Sequence, residues 1–335
     1  MKKSVFISGL GQFSAMGAGI AKLTEVLISG TSPAPTLLSI ATVDGEKFVQ
    51  TLTTPPVTLP ATIPDGVARR MSRLSKMCFV AVAEALEDSF AGAHYNCERI
   101  GLVVGTAYGA LDLANEFMER IRLEGLVGAS PSLFASSVQN SIASHLSITF
   151  NLQGPASTVM TMEHTTTGSL LIAYDWLQQD IVDHVVVVIG DEISEYHRYF
   201  MANSKSDGSL NFNSDECTAL VGEGAVSFII SNENSLKKYA KISKIESTAS
   251  AGEKKSRTFI ASMGQHEEFS RYKNFINSDM KIESHLKYYG SMLTGSAFEL
   301  AIAALKTSED KIDTTCLQLT TENLMQSIHL TSQSN

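Results

Sequence analysis

The chain has 335 residues, with 35 acidic and 26 basic side chains, a formal charge of −9, and 44% hydrophobic against 18% charged residues. That length and apolar content suffice for a large buried core without disulfide or metal staples, and the acidic excess argues against a phosphate-backbone reader, whose affinity rests on Lys and Arg. The 8 Pro and 23 Gly are too few and too scattered for a low-complexity or disordered chain.

Short β-branched runs alternate with longer helix-patterned stretches, which predicts α/β layering around a largely buried sheet. Val5-Phe6-Ile7-Ser8-Gly9 reads as a first strand entering a glycine turn. Residues 70–88 carry Met71, Leu74, Met77, Cys78, Val80, Ala81, Val82 and Leu86 as a wide helical stripe. A strand over 100–105 precedes a helix over 111–122 with one polar side. The pattern continues with a helix over 138–148, a short strand over 158–162, a helix over 165–178, and strands over 184–189 and 224–230. The polar segment 231–238 is the best internal boundary and divides the chain into 1–235 and 236–335. Beyond it come a strand over 241–247, a polar stretch over 252–284, a helix over 297–307, a strand over 315–319 and a last apolar run over 328–330.

Four cysteines, Cys78, Cys97, Cys217 and Cys316, form no C-x-x-C pair, so neither a zinc site nor a dense disulfide framework is indicated and a reducing cytoplasm fits. The opening Met1-Lys2-Lys3-Ser4 is not followed by a signal-peptide core, because Gly9 and Gly11 interrupt it. No run approaches the ~20 apolar residues of a membrane span. Gly9-Leu10-Gly11 lacks the third glycine of a dinucleotide fingerprint, where Ser14 stands, so no nicotinamide cofactor is expected. His266-Glu267-Glu268 lacks the second histidine of a zinc helix, Ser235-Leu236-Lys237-Lys238 matches S-x-x-K only within a polar segment, and Cys217 has no basic neighbour to activate it. No cofactor, metal or nucleic acid is implied.

The informative stretch is Gly154-Pro155-Ala156-Ser157-Thr158-Val159-Met160-Thr161-Met162-Glu163-His164-Thr165-Thr166-Thr167-Gly168. A strand running through a tight turn into a helix is a common way to present a nucleophile, since the helix N-terminus stabilises an anion there. Here the turn residue is Glu163. Taken alone, it is a first-turn carboxylate stabilising its helix by up to about 1 kcal/mol, and His164 beside it is more often structural than a base.

This stretch resembles the nucleophile elbow of the β-ketoacyl synthases, in which the active-site Cys falls where Glu163 stands. The resemblance extends through Val5 to Gly11, Arg69-Arg70-Met71-Ser72-Arg73, Ala83-Glu84-Ala85-Leu86, Gly105-Thr106-Ala107-Tyr108-Gly109, Ser130-Pro131-Ser132-Leu133-Phe134 with Asn140, and Gly222-Glu223-Gly224-Ala225, in the family's order. It implies a thiolase-like fold, layered α/β/α/β/α from two related halves, the second truncated. In that second half the family uses two histidines. One follows a strand in His-Gly-Thr-Gly-Thr, for which Ala261-Ser262-Met263-Gly264-Gln265 places Met263 at the histidine. The other closes a Lys-x-x-x-Gly-His pattern before an Ala-rich helix, for which Lys287 to Ala297 places Ser291 there. The family's terminal Phe-Gly-Phe-Gly-Gly loop has no counterpart.

With Cys, His and His replaced by Glu163, Met263 and Ser291, condensation is not expected. Transfer of an acyl group from a thioester to a carboxylate gives a costly anhydride, and neither Met nor Ser replaces an imidazole at a developing oxyanion. The pattern resembles the chain-length factors of type II polyketide synthases, including compact members of aryl polyene pathways. The resemblance implies a heterodimer with an active ketosynthase, a carrier protein bearing the growing chain, and a tunnel or interface formed by the helix over 111–122 and the segment over 134–145. Leu113, Phe117, Met118, Phe134 and Asn140 are its candidate residues. Two competing readings are a malonyl-carrier decarboxylase or thioester hydrolase using Glu163, and a homodimeric acyl-binding protein.

Overall fold

The computed structural model describes residues 3–60, 63, 65–203, 220–232, 239–246, 257–261, 282–319 and 324–332. In chain order its elements are β1 (Phe6–Ser14), β2 (Gly17–Ala18), α1 (Ile20–Ser29), β3 (Thr36–Thr42), β4 (Gly45–Leu52), α2 (Asp65–Ala68), α3 (Arg73–Phe90), β5 (Ile100–Gly105), α4 (Leu111–Glu124), α5 (Pro131–Ser137), α6 (Ser141–Phe150), β6 (Ala156–Val159), α7 (Thr165–Gln178), β7 (His184–Asp191), α8 (Glu195–Asn203), β8 (Val221–Gly222) and β9 (Gly224–Ser231). The remainder are β10 (Ala240–Glu246), β11 (Arg257–Ala261), β12 (Ile282–Glu283), α9 (Leu286–Tyr289), α10 (Ser296–Asp310), β13 (Thr314–Leu319) and β14 (Met325–Thr331).

Two five-strand sets share one topology. The first runs β6-β5-β7-β9-β1 and the second β12-β11-β13-β14-β10, so each reads 3-2-4-5-1 when numbered by its own chain order. In both, the first two pairings are parallel and the last two antiparallel. The sets meet where β1 pairs with β10, at Phe6 and Ile7. The expected boundary at 235/236 falls between Ser231 and Ala240, among residues outside the described set.

Helices α7 and α10 occupy equivalent places, each entering the fourth strand of its set, and they form a shared central layer. Leu170, Ala173 and Leu177 of α7 and Ala297, Phe298, Leu300, Ala301 and Ala304 of α10 belong to one core with β1, β7, β9 and β14. An outer layer of α3 and α6 covers the other face of the first set. The α3 stripe Leu74, Met77, Cys78, Ala81, Val82, Ala85 and Leu86 is buried there, after the Ser72 side chain caps the helix by accepting from the Ser75 N–H. Full burial of each large apolar side chain contributes roughly 1.5–3 kcal/mol. Gly11 makes the contact possible, since a Cβ at that position would lie 2.1 Å from the Ala81 carbonyl oxygen.

The second set is short inside its connections. Its first and second strands are joined by residues 247–256, against 15–99 in the first set, and its second and third by 262–281, against 106–155. Both stretches lie outside the described residues. The connection between the fourth and fifth strands is 320–324, and residues 320–323 are likewise outside.

One expected helix is corrected. Residues 138–148 do not form a single helix: Ser130 caps α5 by accepting from the Leu133 N–H, Val138 is extended, and α6 starts afresh at Ser141, whose hydroxyl donates to the Ser136 carbonyl at 3.1 Å. The expected strand over 158–162 ends at Val159, because Met162 turns into the left-handed region at φ 52°. Among the described residues, no helix is long and apolar enough to cross a membrane.

Candidate functional site

Glu163 lies in the turn between β6 and α7. Strand β6 leads through Met160 and Thr161 into a one-turn 3-10 helix, Met162–His164, and directly into α7. The Thr165 hydroxyl pins this turn, donating to the Met162 carbonyl at 2.7 Å while accepting from the Thr161 N–H at 3.3 Å. Glu163 is buried at 7% exposure. Its charge reaches the half-buried Tyr108, whose phenol is held up first by burial and then by Asp191 and Glu163.

Asp191, at the end of β7, organises the surroundings. One carboxylate oxygen accepts from Thr106 Oγ1 (2.8 Å), Ala107 N (2.9 Å) and Tyr108 N (3.1 Å), and the other from Thr294 Oγ1 (2.8 Å). Burial pushes this carboxyl up, against four hydrogen bonds that favour its charge. Asp191 thereby ties the loop after β5 in the first half to the turn before α10 in the second.

The candidate Ser291 and a second serine, Ser296, part ways. Ser291 is buried in a parallel bridge with Val221, its N–H donating to the Leu220 carbonyl at 2.7 Å and its carbonyl accepting from the Gly222 N–H at 3.0 Å. Ser296, which sequence reasoning missed, opens α10 and donates its hydroxyl to Thr166 Oγ1 at 2.7 Å, on the helix that follows Glu163. Two residues separate Lys287 from Gly290, whereas Ser291 to Ser296 keeps the full six-residue spacing and runs straight into α10. The geometry puts Ser296, rather than Ser291, beside the elbow helix. Met263 and Cys217 lie outside the described residues. His164 is not poised as a base for Glu163, since its Nδ1 accepts from Gln326 Nε2 at 2.5 Å.

Two motifs meet away from this centre. Glu223 accepts from Arg73 Nε (3.1 and 3.2 Å), Thr54 N (2.9 Å), Thr54 Oγ1 (3.0 Å) and Ile193 N (3.1 Å), joining the Arg-rich turn to the glycine turn as a structural clamp. Neighbouring Glu192 accepts from the Leu74 N–H at 2.8 Å. Burial pushes its carboxyl up to about 7, aided by Asp112 and Glu223 and opposed by the Leu74 hydrogen bond and Arg73.

The candidate tunnel residues cluster on one side. Helix α4 has no buried residue although it carries Leu113, Phe117 and Met118. Phe117 and Phe134 are paired with ring centroids 5.4 Å apart, and Leu113 is half-buried, while Met118 is 63% and Phe134 53% exposed. Asn140 precedes α6 on an open cavity of about 350 Å³ shared with Ile148 and with Ala156, Ser157 and Thr158 of β6. Strand β6 ends its sheet and pairs only with β5 among the described residues. Thr158 Oγ1 is buried there with no hydrogen-bond partner.

The centre therefore holds a buried carboxylate at a helix start, hydroxyls committed to structure, and a histidine engaged by an amide. Among the described residues, no thiol stands at the elbow. Cys78 is buried in the outer-layer core and Cys316 on β13, and burial pushes both thiols up, Cys78 well beyond the range in which a thiolate forms near neutrality. No cluster of three or more His, Cys, Asp or Glu that could hold a metal occurs among the described residues.

Residues 2–229 match the family model for the β-ketoacyl synthase N-terminal domain. Curated relatives include the 3-oxoacyl-[acyl-carrier-protein] synthase 2 of Vibrio harveyi, 26% identical over 170 residues, and that of Vibrio cholerae, 28% over 178. Each match covers 50% of this chain and 40% of the relative, so the chain matches less than half of those proteins. Similar solved structures include the ishigamide ketosynthase/chain length factor (TM-score 0.79, 16% identity, 99% of this chain and 100% of that one). Another is the ketosynthase ApeO with its chain length factor ApeC from Xenorhabdus doucetiae (TM-score 0.76, 14% identity, 99% and 98%). A Burkholderia phymatum β-ketoacyl synthase matches at TM-score 0.75, with 15% identity and 100% of both chains. At these identities the likeness is one of fold, and that fold is thiolase-like.

Proposed function

The chain belongs to the β-ketoacyl synthase family, and we propose that it is a non-catalytic chain-length factor, the partner of an active ketosynthase that retains Cys and both His. The observation that carries this reading is the elbow itself. By the elbow resemblance the buried Glu163 would take the nucleophile position, and Ser296, which α10 presents to the helix after it, already gives its hydroxyl to Thr166. A carboxylate cannot exchange with a thioester at similar free energy, and a serine bonded elsewhere supplies no imidazolium-like donor to an oxyanion.

The partner would bind at the edge of β6 and the uncovered face of α4. An unpaired edge strand flanked by exposed Ile148, Met160 and Met162 (73%, 44% and 49% exposed) suits a protein interface, because such edges are otherwise blunted by charge or cover. A carrier-bound polyketide or polyene chain would extend along this side, with the Phe117–Phe134 pair limiting its length by size. The similar structures lend support, since each is a ketosynthase with a chain length factor.

Co-expression with a ketosynthase followed by native mass spectrometry tests the reading. A stable 1:1 complex is expected, and Phe117→Ala is expected to lengthen its product. An isolated chain that decarboxylates malonyl-carrier, and loses that activity on Glu163→Ala, would overturn it in favour of an independent enzyme.

A further inference from the structure

Between the first turns of α7 and α10 and the strands β13 and β14 lies a cavity of about 10 Å³, lined in part by Thr167, Ser296, Glu299, Gln318 and Gln326. Gln318 and Gln326 are direct cross-strand partners. They are 8% and 5% exposed, and the Oε1 atom of each is buried with no hydrogen-bond partner. Gln326 already commits its Nε2 to His164. Leaving a buried acceptor unpaired costs about 1–3 kcal/mol. Two such oxygens on paired residues lining one void therefore point to a ligand that supplies two donors.

Size and charge identify its class. The void matches the roughly 10–15 Å³ that one water needs. An anion would be drawn by the two helix N-termini but would meet two amide oxygens and the Glu299 carboxylate. A cation would meet the positive ends of both helices. A small neutral dipole satisfies both sides. Glu299 is itself occupied, Oε1 accepting from the His285 N–H at 2.7 Å and the Tyr289 hydroxyl at 3.0 Å and Oε2 paired with His285 Nδ1 at 2.8 Å, so it leaves the two glutamines as the open acceptors.

We infer that this cavity binds a single water molecule, which donates one hydrogen to Gln318 Oε1 and the other to Gln326 Oε1 and turns its oxygen toward the first turns of α7 and α10. The water links the strands of the second half to the helix that follows Glu163. The void itself is too small for an acyl thioester. The water site stands whether or not the chain partners a ketosynthase.

A crystal structure of the full chain, at a resolution that shows ordered waters, tests the site directly. The expected result is one peak at ~2.7–3.2 Å from both glutamine oxygens. Gln318→Met removes one acceptor, leaves the Gln326–His164 contact in place, and is expected to abolish the peak. The native chain alone decides the question if that variant does not fold. An empty cavity with the two amides turned onto each other, or a peak with the short contacts and anomalous signal of a metal cation, would overturn the inference.

Discussion

Asp191 carries more of the site than any other residue, because its four donors come from both halves of the chain. Asp191→Asn keeps the shape but leaves buried donors without their charged acceptor. It is expected to lower stability by about 2–4 kcal/mol, read from the shift of a urea unfolding midpoint. Glu192 makes a pH prediction of defined sign. Its ordinary value of 4.5 is raised to about 7, so the folded chain holds a proton that the unfolded chain releases between those values. Stability from this group is present below about pH 4.5 and falls as pH rises to about 7, by on the order of 3 kcal/mol. Glu192→Gln keeps an acceptor for the Leu74 N–H and should flatten that slope in unfolding curves taken at pH 5 and pH 8; an unchanged slope would assign it to another group. In sequence, Glu163 was legible because Gly154-Pro155 sets the count to the elbow. Ser296 was not, because Gly290, five residues before Gly295, offered a competing glycine behind a lysine. Gln318 and Gln326 become partners only through the β13–β14 register.

Among the described residues, α4 buries no side chain and β6 forms one edge of the large sheet. A 14-residue helix without a buried side chain draws its stability from little tertiary packing, and an uncovered edge strand invites pairing. Ile148→Glu places a charge on a residue that is 73% exposed, so the isolated chain should fold unchanged by circular dichroism. Affinity for the ketosynthase partner should fall at least tenfold, about 1.4 kcal/mol; unaltered binding would place the interface elsewhere. The long periodic elements were readable from sequence, and β5 and α7 coincide with their expected spans, since a buried strand and a wide apolar stripe advertise themselves. The β3–β4 hairpin went unread although its Asp44-Gly45 turn is a recognised signal, with Gly45 at φ 114°. The break between α5 and α6 was hidden because Val138, Ile142 and Leu146 keep a helical spacing across it.

At the scale of the whole molecule, the repeated 3-2-4-5-1 order shows two complete five-strand sets, with the brevity of the second lying in the connections 247–256, 262–281 and 320–324. Sequence alone pointed to two related halves only through resemblance, because the duplication lies in strand pairing and leaves no repeated motif. The central claim concerns catalysis, and the complex with a ketosynthase is where it is decided. Condensation of malonyl-carrier units by the purified complex should be abolished when the partner's nucleophilic Cys is replaced by Ala and retained when Glu163→Ala is made here. Retained activity in the first variant together with lost activity in the second would contradict the account and make this chain the catalyst.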